Sequence, residues 1–210
     1  MAYLALVRHG ISEYNKSGLW TGWDDPDLAK EGLIDAKKAG ETLKDIYFDL
    51  SITSDQKRSK QTLDEILKVI NQGKISIIIA PEIKERSYGI FTKKNKWQVR
   101  EEVGEKEFQK IRRSYNYEPK DGESLKQVNQ RFVEFYKKQI LPKLTLGKNI
   151  LIVSSGNAFR AFLKTFENLS VEQVTNLEFG IGEVYLYQVD KYGKILKKQI
   201  RNKNPKAGKQ

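Results

Sequence analysis

The sequence predicts an α/β fold with a mainly parallel central sheet flanked by helices on both faces. Short apolar runs alternate along the chain with segments of helical periodicity, which is the pattern of consecutive βαβ units. Polar or charged residues follow several apolar runs directly, as expected where parallel strands end at one edge of a sheet. The 210 residues contain no repeat or low-complexity linker, so we expect one domain over residues 1–202 and a flexible basic tail over 203–210.

The predicted strands are runs rich in Val, Ile and Leu that are bounded by polar or turn residues. They are Tyr3–Arg8, Leu50–Thr53, Ile75–Ala80, Asn149–Ser154 and Val184–Val189, with Ile195–Ile200 expected at an edge of the sheet.

The predicted helices run from about Leu28 to Lys44, Gln56 to Ile70, Ser124 to Leu141 and Ala158 to Phe166. Ser124 with Gln127, and Ser170 with Gln173, have the spacing of a capping box at a helix start. The charged segment Lys96–Tyr115 predicts one or two further helices that form a lid.

Composition excludes several classes of protein and site. No apolar run approaches the length that spans a bilayer, and the N-terminal AYLALV is too short for a signal-peptide core. Without cysteine the chain has no disulfide or thiolate metal site, and a single histidine argues against zinc. We therefore expect a cytoplasmic globular protein with no bound metal.

The net charge of +11 is concentrated at the C-terminus. Residues 191–210 contain eight basic residues and no acidic one, whereas the rest of the chain has 30 basic and 27 acidic residues. A solvated basic tail and a small anionic substrate both fit this distribution. No groove-reading motif is present, so we expect no specific nucleic-acid partner.

The residues that follow four predicted strands predict a ligand site. They are Arg8 and His9 after the first strand, Ser54, Lys57 and Arg58 after the second, Glu85 and Arg86 after the third, and Ser154–Asn157 after the fourth. Parallel strands place these residues along one edge of the sheet, where ligands of α/β proteins bind.

The stretch LVRHGISEYN has two interpretations on its own: His9 is either a structural residue or a catalytic imidazole. Its neighbours favour phosphate chemistry. Arg8 offers bidentate donors to a phosphate, Gly10 allows backbone amides to approach an anion, and Ser12 and Asn15 add hydrogen bonds.

The ordered set of motifs resembles the cofactor-dependent phosphoglycerate mutases of the histidine phosphatase superfamily. RHG on the first strand resembles the superfamily signature, and LVRHGISEYN with WTGWDDPDLAKEG resembles the mutases within it. The similarity continues through TSDQKRSKQT, ERSYG, NKW, RRSYNYEP, GESLKQ, SSGNAFRAF and EFGIGEVYLY, over nearly the whole chain. RHG alone is a weak signal, whereas the ordered set is a specific one.

The resemblance implies that His9 is a nucleophile that accepts a phosphoryl group and returns it to substrate. It implies that Arg8 and Arg58 neutralise the phosphoryl oxygens and that Glu85 is the general acid and base. Without the resemblance, Arg58 would be interpreted as an exposed arginine at a helix start, and Glu85 as a member of a surface ion pair.

The resemblance also implies a substrate-binding set on loops and helix starts. Its members are Ser12, Asn15, Thr21, Gly22, Arg86, Tyr88, Lys96, Arg112, Arg113, Gly156 and Asn157. Arg112 and Arg113 are implied to grip the second anionic end of the substrate. The alternative for this pair is a solvated helix face, since KIRRSYN is a charged helical segment.

The implied activity is interconversion of 3- and 2-phosphoglycerate, primed by 2,3-bisphosphoglycerate, without a metal. The implied partner is a small anionic substrate, with no membrane partner. The chain is expected to be a monomer or a homo-oligomer, and the sequence does not choose between them.

The turn in LIVSSGNAFR departs from the family pattern, because Ser155 stands where a second histidine normally precedes Gly-Asn. A serine hydroxyl donates one hydrogen bond but carries no positive charge. Loss of one preorganised stabiliser commonly raises such a barrier by about 3–4 kcal/mol. Two alternatives to an efficient mutase therefore stay open: a phosphoglycerate-binding pseudoenzyme with weak or no turnover, and a phosphatase of the same superfamily.

Overall fold

A six-stranded sheet organises the chain in the computed structural model, which describes residues 1–204. Its strands are β1 (Ala2–Arg8), β2 (Leu50–Thr53), β3 (Ile77–Ile79), β4 (Ile150–Ser154), β5 (Val184–Val189) and β6 (Ile195–Arg201). The spatial order is β3-β2-β4-β1-β5-β6; β1 to β4 are parallel, β5 is antiparallel to β1, and β6 is antiparallel to β5. The predicted mainly parallel sheet is confirmed, with β6 at an edge. Most of the predicted tail, residues 205–210, lies outside the described residues.

The helices lie between these strands largely as predicted. They are α1 (Glu13–Lys16), α2 (Lys30–Glu41), α3 (Lys57–Val69), α4 (Lys96–Arg113), α5 (Leu125–Phe135), α6 (Leu141–Thr145), α7 (Gly156–Phe166) and α8 (Val171–Asn176). Both predicted capping boxes are present, at the starts of α5 and α8. The segment predicted to form a lid is helical as α4, whose two helical parts meet at a kink at Gly104, where φ is 76°.

Two predicted elements are shorter in the structure than the sequence suggested. The helix predicted over Ser124–Leu141 is α-helical only to Phe135 and then passes through a π-helical turn, Tyr136–Ile140, into α6. Pro142 explains the change, because it lacks the N–H that would continue the α-helical ladder. The third strand is shorter than Ile75–Ala80, since the amide of Ile75 is bonded within a turn to the carbonyl of Gln72.

Alternating side chains of the strands bury two separate cores. Leu4 and Leu6 of β1 pack with residues of α5 and α7, whereas Ala5 and Val7 pack with residues of α2 and α3 on the opposite face. The sheet therefore carries helices on both faces, as predicted. A third, smaller apolar cluster joins Trp20 and other loop residues to α4, which anchors the lid helix above the sheet edge.

The carboxyl ends of the parallel strands meet along one edge of the sheet. The amide of His9 donates to the carbonyl of Ser154 at 3.0 Å, and that of Ser54 donates to the carbonyl of Val153 at 3.3 Å. Because β5 is antiparallel to β1, its first residue, Val184, lies at this same edge. The segment that leads into β5 therefore reaches the edge where the sequence predicts a site.

No helix among residues 1–204 is long and apolar enough to cross a membrane.

The turn after β1 depends on a close approach between two glycines. A Cβ on Gly10 would lie 2.1 Å from the carbonyl oxygen of Gly32, and one on Gly32 would lie 2.2 Å from that of Ile11. The amide of Gly10 donates to the Thr62 hydroxyl at 3.1 Å. Gly10 thus serves backbone packing, and its own amide is occupied by Thr62.

We expect Gly32→Ala to lower the free energy of unfolding by about 1–3 kcal/mol, because two backbone segments must separate to admit the methyl group. Gly73→Ala is the matched control, since a Cβ at Gly73 meets nothing within 4 Å. Urea unfolding measures both variants. Equal stabilities for the two variants would contradict the proposed close packing.

Candidate active site

A cavity of about 90 Å³ lies at the carboxyl edge of the sheet. Its charged lining side chains are the cations Arg8, Lys96, Arg112, Arg113 and Arg160 and the carboxylates Glu85 and Glu178. This excess of cations favours a ligand with several negative charges. The other predicted site residues in the lining are Asn15, Thr21, Gly22, Tyr88, Gly156 and Asn157.

His9 lies at the end of β1, is only 3% exposed and has a defined tautomer. Its Nδ1 lies 2.7 Å from the carbonyl oxygen of Gly10, which can only accept a hydrogen bond, so Nδ1 carries the proton. Arg58 Nε donates to His9 Nε2 at 3.2 Å, so Nε2 presents a lone pair. This arrangement leaves Nε2 as the ring nitrogen that carries the lone pair.

Burial, followed by the charges of Arg58 and Arg8, lowers the pKa of His9 well below its usual value of 6.5. The imidazole is therefore neutral near pH 7. A neutral ring retains the lone pair that a nucleophile requires.

Arg58, at the start of α3, is 1% exposed and crosses beneath the loop that follows α1. Its Nη1 donates to the carbonyl of Asp24 at 3.0 Å, and its Nη2 donates to that of Gly22 at 3.1 Å. Burial lowers its pKa to about 10, so the guanidinium stays charged beside His9. This geometry excludes the alternative interpretation of Arg58 as an exposed arginine at a helix start.

Arg8 is the last residue of β1 and packs against the start of α7. Its Nη1 donates to the carbonyl of Phe179 at 2.5 Å, whereas its Nε is buried without a hydrogen-bond partner among the described residues. A Cβ on Gly156 would lie 3.0 Å from the guanidinium carbon, so glycine at this position allows Arg8 to lie against the helix. Burial lowers the pKa of Arg8, and Glu85 opposes this effect.

Glu85 lines the cavity and is held by contacts on both sides of its peptide unit. Its amide donates to Gln56 Oε1 at 3.0 Å, and its Oε1 accepts from the amide of Arg86 at 2.7 Å. Gln56 also donates to the carbonyl of Gly22 at 2.9 Å, so it ties Glu85 to the loop above His9. Gln56 was not predicted as a site residue, because in the sequence it is only the first residue of a predicted helix.

Lys96 begins α4 and brings a second class of cation to the cavity. Its side chain is 8% exposed, and burial followed by the charges of Arg112 and Arg8 lowers its pKa to about 8. The side chain of Asn95 caps the helix by accepting from the amides of Trp97 and Gln98. The cap fixes the start of the lid helix, and with it the position of Lys96.

A chain of side-chain hydrogen bonds joins α7 to Tyr88. Arg160 Nη1 donates to Asn157 Oδ1 at 2.7 Å, and Asn157 Nδ2 donates to the Tyr88 hydroxyl at 2.6 Å. Arg160 is 4% exposed, and burial lowers its pKa to about 10. Sequence reasoning missed Arg160, although its spacing of three from Asn157 on a helix was a usable signal.

Ser155 is the N-cap residue of α7 and has an exposed fraction of 0%. A serine at this position usually accepts from a backbone amide of the first helical turn, but here no such side-chain bond forms. Its Oγ is buried without a partner among the described residues. Ser154, by contrast, donates its hydroxyl hydrogen to the carbonyl of Ile83.

Two residues of the predicted substrate-binding set have side chains that are hydrogen-bonded within the fold. Arg86 is fully buried and donates to the carbonyls of Glu123, Ile111 and Tyr117 at 2.6, 2.9 and 3.0 Å, so it joins three loop and helix ends. Ser12 is fully buried as the N-cap of α1, where its Oγ accepts from the amide of Asn15. Both side chains are occupied by the fold and do not line the described cavity.

His9, Arg58 and Ser155 also do not contribute to the cavity lining among residues 1–204. Each is at least 97% buried, and Arg58 joins His9 to the carbonyl of Gly22, which does line the cavity. The three residues therefore lie behind the lining. A reacting group must reach past it to meet His9 Nε2.

Several buried donors around the cavity suit an anion. Arg8 Nε, Trp20 Nε1 and Arg160 Nε are buried without a hydrogen-bond partner among the described residues. Buried donors of this kind are usually satisfied, so an anionic oxygen is their natural acceptor. No group of three or more His, Asp or Glu side chains in residues 1–204 is arranged to hold a metal.

We expect His9 to titrate well below pH 6.5 in the folded protein. The folded-state pKa lies below the unfolded one, so this group contributes stability above about pH 6.5 that is lost as the pH falls. Relative to His9→Gln, the wild-type chain should lose about 1 kcal/mol between pH 7.5 and 5.5. Nitrogen NMR of the single histidine measures the pKa directly, with the urea-unfolded chain as control. Titration at or above pH 6.5 in the folded chain would contradict the burial argument.

Comparison with known proteins agrees with this geometry. Residues 4–201 match the family model described as histidine phosphatase superfamily (branch 1). The 2,3-bisphosphoglycerate-dependent phosphoglycerate mutase of Parvibaculum lavamentivorans is 38% identical over 199 residues, which cover 94% of this chain and 95% of the relative. The phosphoglycerate mutase of Schizosaccharomyces pombe is 37% identical, with 94% of each chain covered.

The fold is shared with a mycobacterial glucosyl-3-phosphoglycerate phosphatase at a TM-score of 0.79 and 19% identity, over 97% of this chain and 99% of the other. At that identity the similarity concerns the fold alone. The family match over nearly the whole length, together with the relatives above 35% identity, shows that this chain belongs to the histidine phosphatase superfamily.

Proposed function

We propose that this protein interconverts 3-phosphoglycerate and 2-phosphoglycerate in the cytoplasm, as a step of glycolysis and gluconeogenesis. The observation that carries the proposal is the neutral His9 with Nε2 presented between Arg58 and Arg8. The relatives at 37–38% identity are named phosphoglycerate mutases, and one name states dependence on 2,3-bisphosphoglycerate. The orphan donors Arg8 Nε, Trp20 Nε1 and Arg160 Nε fit such a polyanion.

Transfer begins with attack of His9 Nε2 on the phosphorus of a bound phosphate ester. A P–N bond forms, the P–O bond to the glycerate breaks, and the leaving oxygen takes a proton. Arg58 exchanges its hydrogen bond to Nε2 for contacts with the phosphoryl oxygens, and Arg8 contributes its free Nε. These cations stabilise the charge spread over the oxygens of a loose transition state.

Glu85 supplies that proton and removes one from the acceptor hydroxyl in the return step. Its carboxyl group lines the cavity, and the bond from the amide of Arg86 fixes one of its oxygens. Since the same carboxyl group acts as acid and then as base, the reaction is reversible with one residue. 2,3-bisphosphoglycerate supplies the phosphoryl group that primes His9.

The proposed position of the substrate carboxylate is the part of the cavity that the cations of α4 line. Lys96 begins that helix, and Arg112 and Arg113 end it, so one lid helix brings all three to the cavity. Cations placed to hold a second anionic group favour retention of the glycerate between the two transfers. This retention is what separates a mutase from a phosphatase.

Ser155 is the observation that keeps a second candidate function, a phosphoglycerate-binding protein with weak turnover. Its hydroxyl replaces an imidazole at the helix start that faces the phosphoryl site, and it carries no positive charge. Binding depends mainly on the arginines and lysine of the cavity, so it survives this replacement, whereas the rate depends on charge stabilisation at the reacting group.

We expect incubation with 2,3-bisphosphoglycerate to place an acid-labile phosphate on His9, because its ring is neutral and its Nε2 carries the lone pair. Intact-mass spectrometry at alkaline pH measures the gain, with His9→Gln as control. Assays of isomerisation and of inorganic phosphate release on the same sample separate mutase from phosphatase activity. Absence of both the mass gain and isomerisation would contradict the proposal.

We expect kcat to rise in the order Ser155→Ala, wild type, Ser155→His, with about tenfold or more between serine and histidine. Alanine removes the hydroxyl donor and histidine adds a larger, chargeable one. Ser154→Ala is the matched control, since that hydroxyl serves a backbone carbonyl. Unchanged kcat across the Ser155 series would show that this turn does not contact the reacting group.

A further inference from the structure

Arg113 and Glu178 form an ion pair across the candidate site. Arg113 is the last residue of α4, Glu178 lies between α8 and β5, and the contact joins Arg113 Nη2 to Glu178 Oε1. Both residues line the cavity, and both also line a neighbouring surface groove of about 590 Å³. The ion pair is therefore part of the wall between the cavity and the groove.

We propose that Glu178 is a specificity-determining residue: an internal carboxylate that occupies Arg113 until the carboxylate of the ligand displaces it. The inference rests on the proposed function, since it takes the ligand to carry a carboxylate besides its phosphoryl group. A ligand without that second anionic group leaves the pair closed.

The charge distribution supports this role. Glu178 and Glu85 are the carboxylates of the described cavity lining. Glu85 accepts a hydrogen bond from the Arg86 amide, whereas Glu178 pairs with Arg113. The charge of Glu178 raises the pKa values of Arg112 and Arg160. Burial lowers both pKa values by a larger amount. Glu178 thus acts as a counter-ion for cations that a bound ligand would otherwise neutralise.

The exposure of the two partners makes displacement feasible. The Glu178 side chain is 43% exposed and that of Arg113 is 18% exposed. The carboxylate can therefore rotate into water while the guanidinium stays at the cavity. The backbones need not move, because the carbonyl of Arg113 accepts from Arg160 Nη2 at 3.4 Å and that of Glu178 accepts from the Tyr185 hydroxyl at 3.2 Å.

Calorimetric titration with two ligands tests the proposal. We expect Glu178→Gln to bind 3-phosphoglycerate about fivefold more tightly than wild type, since a partly exposed pair of this kind opposes binding by that order of magnitude. Glycerol 3-phosphate, which lacks the carboxylate, should bind with less than a twofold change. Glu172→Gln is the matched control, because it removes one negative charge from an exposed position on α8.

A double-mutant cycle shows whether Glu178 acts through Arg113. In an Arg113→Met background, Glu178→Gln should no longer change the affinity for 3-phosphoglycerate. The inference is overturned if Glu178→Gln leaves that affinity unchanged or weakens it, if both ligands gain equally, or if Glu172→Gln reproduces the gain.

The mutase assay distinguishes failure of this inference from failure of the proposed function. Tighter binding by Glu178→Gln without isomerisation by the wild-type chain supports the competition and overturns the proposed function. If the wild-type chain isomerises 3-phosphoglycerate and Glu178→Gln leaves the affinity for it unchanged, only the proposed competition is overturned. If neither chain binds 3-phosphoglycerate, both are overturned.

Discussion

The contact between Arg58 and His9 is the constraint on which the rest of the site depends. Burial, followed by the charge of Arg58, keeps the imidazole neutral by lowering its pKa. The bond from Arg58 to Nε2 and the Gly10 carbonyl at Nδ1 fix its tautomer. The remaining donors of Arg58 need acceptors, because an unsatisfied buried cation is costly. The carbonyls of Gly22 and Asp24 meet that need, so the residue that bonds to His9 also holds this loop in place.

The sheet topology brings the second arginine to the same place. Arg8 ends the central strand β1, which lies between parallel β4 and antiparallel β5. The polar turn before α7 and the segment before β5 therefore flank it on either side. Gly156 lets the guanidinium lie against α7, and the carbonyl of Phe179 takes one of its donors. One strand pair of opposite direction thus converts an ordinary α/β edge into a pocket for a phosphoryl group.

The sequence predicted the sheet class and most element bounds because strand and helix periods depend on local pattern. It also predicted cavity-lining residues that belong to distinct motifs, such as Thr21, Glu85 and Asn157. It failed where a role depends on contacts between distant segments. Arg86 looked like a substrate contact, but the carbonyls that bind it lie 25 to 37 residues away in the chain. Arg160 looked like an ordinary helix residue for the same reason.

Under the proposed function, different residues hold the ligand and accelerate its reaction. Binding depends on cations whose positions are fixed by backbone carbonyls, as with Arg8 and the carbonyl of Phe179. These contacts do not involve Ser155, whose hydroxyl is buried without a partner in residues 1–204. We therefore expect a change at that position to leave the cationic pocket assembled and to affect turnover more than affinity. Affinity and turnover can consequently vary independently in this chain, because different residues at the same sheet edge control them.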